Sequence, residues 1–209
     1  MTTPSSFTQQ DYELIKREVL YQGFHCFARY HLRFRLFNGG WSNIVTREVL
    51  ERFSAAAVIP YDPSLDRVLL IEQFRPGSLA EPNGPWIIEV PAGIFSANET
   101  PAELARREAK EEAGCVITDL ELINEYFVSP SCATEYMHLF YGQVDASHAG
   151  GIFGLKEENE DIRVLNLPAE EAFALLRAGK VKTSPAIIGL LWLELNRQRL
   201  RNKLTRSSL

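Results

Sequence analysis

The stretch GIFSANETPAELARREAKEEAGC, Gly93–Cys115, decides how the rest of this chain is read. Thr100-Pro101-Ala102-Glu103 fits a capping box with proline at the first helical position, and Gly114 supplies a stop, so the spacing predicts a helix between them. On that helix Ala102, Ala105, Ala109 and Ala113 form a stripe of small side chains that lets it lie close to a sheet. Glu108 and Glu112 flank the stripe and point toward one groove, with Glu111 beside them and Glu99 in the preceding glycine loop. Carboxylates at i and i+4 repel, by a few tenths of a kcal/mol per pair. Taken alone, such a cluster fits a solvated helix surface. Its alternative is a site for a hard divalent cation, since Mg²⁺ takes carboxylate oxygens and shares its shell with substrate phosphates. Arg107 stands four residues before Glu111 and is spaced to pair with it.

Composition sets outer limits. The 209 residues suffice for one elaborated domain or two small ones, and 45% hydrophobic with 23% charged residues is ordinary for a globular chain. A formal net charge of −5 argues against nucleic acid as the partner. No apolar run approaches the roughly 18 residues that span a bilayer, so no membrane association is expected. The polar start MTTPSSFTQQ has no secretory core, and Cys26, Cys115 and Cys132 make neither a CxxC nor an even set. A cytoplasmic protein without disulfides or zinc is the expectation.

The first ten residues read as a frayed tail. Between Tyr12 and about Leu50, Phe27, Tyr30, Leu32, Phe34 and Leu36 come mostly two apart, and Asn38-Gly39-Gly40 offers a turn. This predicts a long hairpin whose second arm runs from Trp41 to Val49. An exposed hairpin has open edges, which a second copy of the chain would cover, so a homodimer is expected. The division expected is a β sub-domain over 1–50 and a second domain over 51–209. Strands are predicted at Ala55–Ile59, Val68–Phe74, Trp86–Val90, Leu122–Val128, Met137–Val144 and Ile162–Leu167. Helices follow from Pro168 to Ala178 and from Ser184-Pro185 onward, and a long glycine-bearing loop covers Asp145–Asn159. Mixed strands with helices on the faces make an α/β or α+β layered domain.

The whole string fits Gly-x5-Glu-x7-Arg-Glu-U-x-Glu-Glu-x-Gly-U, through Gly93, Glu99, Arg107, Glu108, Glu111, Glu112 and Gly114. This resembles the box of the Nudix hydrolases; Ala109 and Cys115, small and apolar, stand at the two aliphatic positions. The resemblance implies a mixed β-sheet sandwiched between helices. It also implies Mg²⁺-dependent (or Mn²⁺-dependent) hydrolysis of a nucleoside diphosphate linked to another group. Outside the box, REVLYQGFHCFARYHLRFRLFNG, TREVLERFSAAAVIPYD, LLIEQFRPG, EVPAGI, SPSCATE and GLKEENEDIRVL are similar to the bacterial ADP-ribose-hydrolysing branch of that family, from about Val19 to Leu195.

By that resemblance the Ala92 carbonyl joins Glu108 and Glu112 as a metal ligand, with Glu111 nearby and Glu160 a further contact, and Glu158 matches the general base. Arg107 would orient a carboxylate. Phe24, His25, Arg47, Glu48, Arg52, Arg75 and Ile94 match substrate contacts. Ser129, Pro130, Ser131 and Glu135 match the loop that touches the terminal ribose. There the branch often has Ser-Pro-Gly-Gly-Thr-Ser-Glu, whereas this chain has Ser-Pro-Ser-Cys-Ala-Thr-Glu, and side chains replace a permissive backbone. An N-terminal β domain swapped between protomers is also implied. Gly150-Gly151 reads as a mobile approach to the acidic loop. The four histidines are scattered, and Arg197, Arg199, Arg201, Lys203 and Arg206 fit a basic helix end. Three activities follow: hydrolysis of ADP-ribose to AMP and ribose 5-phosphate, hydrolysis of another nucleotide sugar such as GDP-mannose, or nucleotide sensing without turnover.

Overall fold

In the computed structural model, residues 7–207 are described, with side chains as far as residue 203. The chain forms two compact units. One runs up to Phe53 and also takes in Phe127–Glu135; the other comprises Ser54–Tyr126 and the chain from Tyr136 onward.

The first unit is a three-stranded antiparallel sheet of β1 (Tyr12–Gln22), β2 (Cys26–Phe34) and β3 (Val45–Glu51), in that order. The predicted turn at Asn38-Gly39-Gly40 does lie between β2 and β3, and both glycines have positive φ. An earlier turn at Gly23-Phe24-His25 divides the expected first arm into two strands, which local alternation did not reveal. Arg17 fixes the three strands together. Its guanidinium forks onto Glu51 at 2.7 and 2.5 Å, and the Tyr30 hydroxyl donates to the same carboxylate at 2.6 Å. These contacts, Arg17 first, hold the Glu51 carboxyl down at about 2. Of the expected frayed tail, residues 1–6 lie outside the described residues. Thr8 caps a short turn over Gln9–Asp11, with Asp11 completing a capping box.

The second unit contains β4 (Ala55–Asp62), β5 (Arg67–Phe74), β6 (Trp86–Glu89), β7 (Ala92–Ile94), β8 (Asp119–Phe127), β9 (Tyr136–Gln143), β10 (Gly151–Phe153) and β11 (Ile162–Pro168). It also has helices α1 (Pro101–Ala113), α2 (Ala169–Arg177) and α3 (Ser184–Ser207). The strand order is β10-β11-β5-β4-β9-β8, with β6 added to β5 and β7 to β4. The β4–β9 pair is parallel and the β4–β5 pair antiparallel, so the sheet is mixed. Every residue of β4 is buried, as a strand covered on both faces requires. Alternate side chains serve the two faces. Ala56, Val58, Leu69 and Ile71 pack with Leu104, Ala105, Ala109 and Ala113 of α1, while Ala57, Ile59, Tyr61 and Leu70 pack with Phe173 of α2 and Leu190 and Leu193 of α3. The sheet is therefore sandwiched between helices, and alanines on the α1 side let that helix approach closely.

Part of the loop expected over Asp145–Asn159 is ordered as β10, paired with β11. Among the described residues, no helix is long and apolar enough to cross a membrane.

Candidate active site

The capping box places α1 as its sequence dictates. Thr100 accepts from the Glu103 N–H at 3.3 Å, and Glu103 accepts from the Thr100 N–H at 2.9 Å. Gly114 closes the helix in the left-handed region, at φ 62°. The capped helix presents Glu108 and Glu112 toward β7, and both are buried. Glu112 accepts from the Ala92 N–H at 2.8 Å. Glu108 lies directly over Gly93, where a Cβ would come within 1.9 Å of its Oε1.

Arg107 gathers the remaining acids of the box. Its Nε donates to Glu99 at 2.8 Å, while Nη1 reaches Glu111 at 2.7 Å and Glu108 at 2.8 Å. The expected i,i+4 pair with Glu111 is thus one arm of a larger hub. The Arg107 guanidinium, with the Ser96 N–H, holds the Glu99 carboxyl below its usual range. The two acids facing β7 behave oppositely. Burial pushes the Glu108 carboxyl up to about 7, against the pull of Arg107, and the Glu112 carboxyl up to about 8, against its bond from Ala92. Each feels the other acids: Glu111 and Glu160 raise Glu108, while Glu108 and Glu160 raise Glu112.

Glu160 arrives from the segment between β10 and β11. Asn159 adopts left-handed φ of 55° and reverses the chain, and Glu160 accepts from the Leu155 N–H at 3.0 Å. Gly154 donates its N–H to the Glu111 carbonyl at 3.2 Å, which ties this segment to the end of α1. Glu158 ends the short turn Lys156–Glu158 and is exposed. Glu160 is among the charges that raise both buried carboxyls. Arg75 also acts on Glu112 and pairs with Glu89 at 2.7 Å. Ile94 ends β7 and is partly exposed.

Among the described residues, no three acidic, histidine or cysteine side chains converge on one point as a closed cage. A Mg²⁺ site needs none, since that ion keeps several waters and is held by one or two carboxylates together with substrate phosphates. The residues present fit such an ion. Two buried carboxylates are otherwise costly; each has only part of its lone pairs used, and the donors on offer are hard oxygens. Glu108 and Glu112 are the buried carboxylates that could hold it.

The other residues singled out from sequence lie in the first unit. Phe24 and His25 occupy the turn between β1 and β2, with ring centroids 4.7 Å apart, and Phe24 meets Phe53 edge-on at 6.0 Å. Arg47 and Glu48 are exposed on β3; Arg47 donates to the Thr46 carbonyl at 2.8 Å, and Glu48 accepts from Arg29 at 2.9 Å. Arg52 pairs with the buried Glu135 at 2.7 Å. Ser129, Pro130 and Ser131 open the turn leading to Glu135. No non-glycine residue from 129 to 135 has positive φ, so Ser131 and Cys132 stand where the branch has glycines without backbone strain. A cavity of about 300 Å³ in this unit is lined by Phe7, Tyr12, Phe34 and Phe37 among others, and none of the candidate catalytic, metal or substrate residues lines it. Sequence reasoning does not select Glu89, Phe53 or Thr134. Pairing across strands or between distant segments reveals them, and no local pattern carries that signal.

The NUDIX domain profile matches residues 51–187. An ADP-ribose pyrophosphatase of Escherichia coli (strain K12) is 41% identical over 200 residues, which is 96% of this chain and 96% of that protein. A GDP-mannose pyrophosphatase of Enterobacter sp. (strain 638) is 33% identical over 152 residues, 72% of this chain and 78% of its own. The crystal structure of an ADP compounds hydrolase has the same fold, with a TM-score of 0.68 at 19% identity, covering 94% of this chain and all of that one.

Proposed function

The chain belongs to the Nudix family, and from that premise we infer that it hydrolyses ADP-ribose to AMP and ribose 5-phosphate. The observation that carries this is the pair of buried carboxylates over the Ala92-Gly93 backbone, braced by Arg107, in a chain 41% identical to an ADP-ribose pyrophosphatase over nearly its whole length. The reaction needs a divalent cation, for which Mg²⁺ is the reading and Mn²⁺ a substitute. When bound, it neutralises charge on the diphosphate and lowers the pKa of the attacking water.

Glu108 and Glu112 would hold the cation with the Ala92 carbonyl, and Glu160 would give a further contact. Arg107 keeps Glu99, Glu108 and Glu111 in place. Glu158 takes the proton from the attacking water, a role suited to an exposed carboxylate. Phe24 offers a face for the base, and arginines at 47, 52 and 75 suit the diphosphate oxygens.

The GDP-mannose pyrophosphatase relative favours a second reading, in which another nucleoside diphosphate sugar is the substrate. A homodimer with exchanged N-terminal sheets is supported by β1, an edge strand eleven residues long with Leu14, Ile15, Val19, Leu20 and Tyr21 exposed. Three free cysteines suit a reducing cytoplasm. Purified protein with Mg²⁺ is to be offered ADP-ribose and GDP-mannose side by side. A higher kcat/KM for ADP-ribose, with AMP as product, is expected; a preference for GDP-mannose favours the second reading, and binding without turnover leaves a sensor.

A further inference from the structure

Thr134 stands between two residues singled out as substrate contacts, Arg52 and Glu135, and its hydroxyl is fully engaged. The segment Cys132–Thr134 runs alongside the end of β3 as a short parallel partner, through the bridge between Leu50 and Ala133. Leu50 donates its N–H to the Cys132 carbonyl at 2.8 Å, and Thr134 donates its N–H to the Leu50 carbonyl at 3.1 Å. The next rungs come from a side chain. The Arg52 N–H donates to Thr134 Oγ1 at 2.9 Å, and that hydroxyl donates onward to the Arg52 carbonyl at 2.9 Å. Both backbone polar groups of Arg52 are therefore satisfied by one threonine hydroxyl. Immediately beyond, the Arg52 guanidinium meets the Glu135 carboxylate.

The hydroxyl also fixes the end of β3 to the 129–135 turn. The turn has its own bonds, from the Cys132 and Ala133 N–H groups to the Ser129 carbonyl at 3.1 and 2.9 Å, and from the Val128 N–H to the Glu135 carbonyl at 3.1 Å. Those bonds shape the turn but do not attach it to Arg52. Attachment next to Arg52 rests on Thr134 and on the Arg52–Glu135 pair. The guanidinium side of that pair is 38% exposed and weakened by solvent, so the two backbone bonds made by the threonine hydroxyl share the attachment with it.

We propose that Thr134 is a positioning residue for substrate: its hydroxyl sets Arg52 and the 129–135 turn as one body, so that the arginine and the turn grip the nucleotide sugar in a fixed relation. The inference rests on the reading of Arg52 and Glu135 as substrate contacts. A side chain held in place before binding loses less freedom on binding, which lowers KM more than it changes kcat.

The test uses the full-length protein with Mg²⁺ and ADP-ribose. Thr134→Val keeps the shape and removes the hydroxyl, and Thr134→Ser restores it. The expectation is a KM raised about tenfold in Thr134→Val, kcat within about twofold, and KM returned to the wild-type range in Thr134→Ser. An unchanged KM in Thr134→Val overturns the proposal, as does a Thr134→Ser variant that behaves like the valine. Thermal unfolding accompanies each variant. If Thr134→Val does not fold, Thr134→Ala in a cycle with Arg52→Ala takes its place, and additive KM penalties then reject positioning. Arg52→Ala separates the two levels: if it leaves KM unchanged, the substrate-contact reading fails, whereas a raised KM there beside a normal KM in Thr134→Val removes the positioning role alone.

Discussion

Replacing Gly93 by alanine isolates the contact on which the site depends. Gly93 does not have positive φ, so alanine is compatible with its backbone. The whole effect therefore comes from one methyl group. That methyl would sit 1.9 Å from Glu108 Oε1, 2.3 Å from Cδ and 3.0 Å from Cγ. Ordinary contact begins near 3.4 Å, so the carboxylate must retreat by about 1.5 Å. The backbone of β7 cannot retreat instead, because it is paired with β4 at Gly93–Ala56 and, on either side of the contact, at Ala92–Ala57 and Ile94–Ala55. The flexible Glu108 side chain yields, and its carboxylate leaves the place it holds over Gly93. A displacement of about 1 Å in a catalytic constellation costs about a hundredfold in rate, or about 2.7 kcal/mol of transition-state stabilisation. Gly93→Ala is expected to lose about that factor in kcat/KM and to need more Mg²⁺ for half-maximal rate. Its stability falls by no more than the 1–3 kcal/mol or so typical of an overpacked site. The assay is AMP release across a Mg²⁺ titration, with thermal unfolding on the same samples. Wild-type activity and metal requirement in a folded Gly93→Ala protein would show that Glu108 does not need its place over Gly93, and the metal-site reading would fall with it.

Three other outcomes are expected. Arg107→Lys puts a single ammonium where a fork now meets Glu99, Glu108 and Glu111, so metal affinity or activity should drop roughly 10–100-fold; full activity would show that the hub is dispensable. Without metal, the folded protein holds the Glu112 carboxyl near 8 against an ordinary 4.5. The folded state then binds the proton more tightly than the unfolded one, so this contribution to stability is complete below about 4.5 and is lost as pH rises through 8. Melting in a chelator should fall between pH 5.5 and 8.5, less steeply in Glu112→Gln, and Mg²⁺ should restore it at the alkaline end; equal slopes in the two proteins would refute the linkage. Finally, Glu158→Gln is expected to lower kcat by about 10²–10⁴ with the Mg²⁺ requirement unchanged, whereas Glu160→Gln should shift that requirement; the reverse pattern would exchange their roles.

What could be read from the sequence follows from how local each cause is. The ends of α1 are set by Thr100, Pro101, Glu103 and Gly114, all within one turn of the residues they cap, and the helix lies where those residues put it. The central strands were legible because burial on both faces leaves continuous apolar runs, as in Ala55–Ile59. The turn at Gly23 was not legible, since β1 and β2 carry the same mixed alternation on either side of it. Nor was the joining of Ser129–Glu135 to the end of β3, where partners some eighty positions apart meet through a threonine hydroxyl. Gly93 combines both cases. In sequence it is the first letter of a motif, and glycine suggests a backbone need. In the folded chain its φ is unexceptional and the need is spatial, because Glu108 fills the volume that a side chain would take. Helical spacing placed Glu108 and Glu112 together, but the absent side chain on the neighbouring strand gives Glu108 its depth. That depth raises the cost of its charge, and the cost gives a bound cation something to relieve.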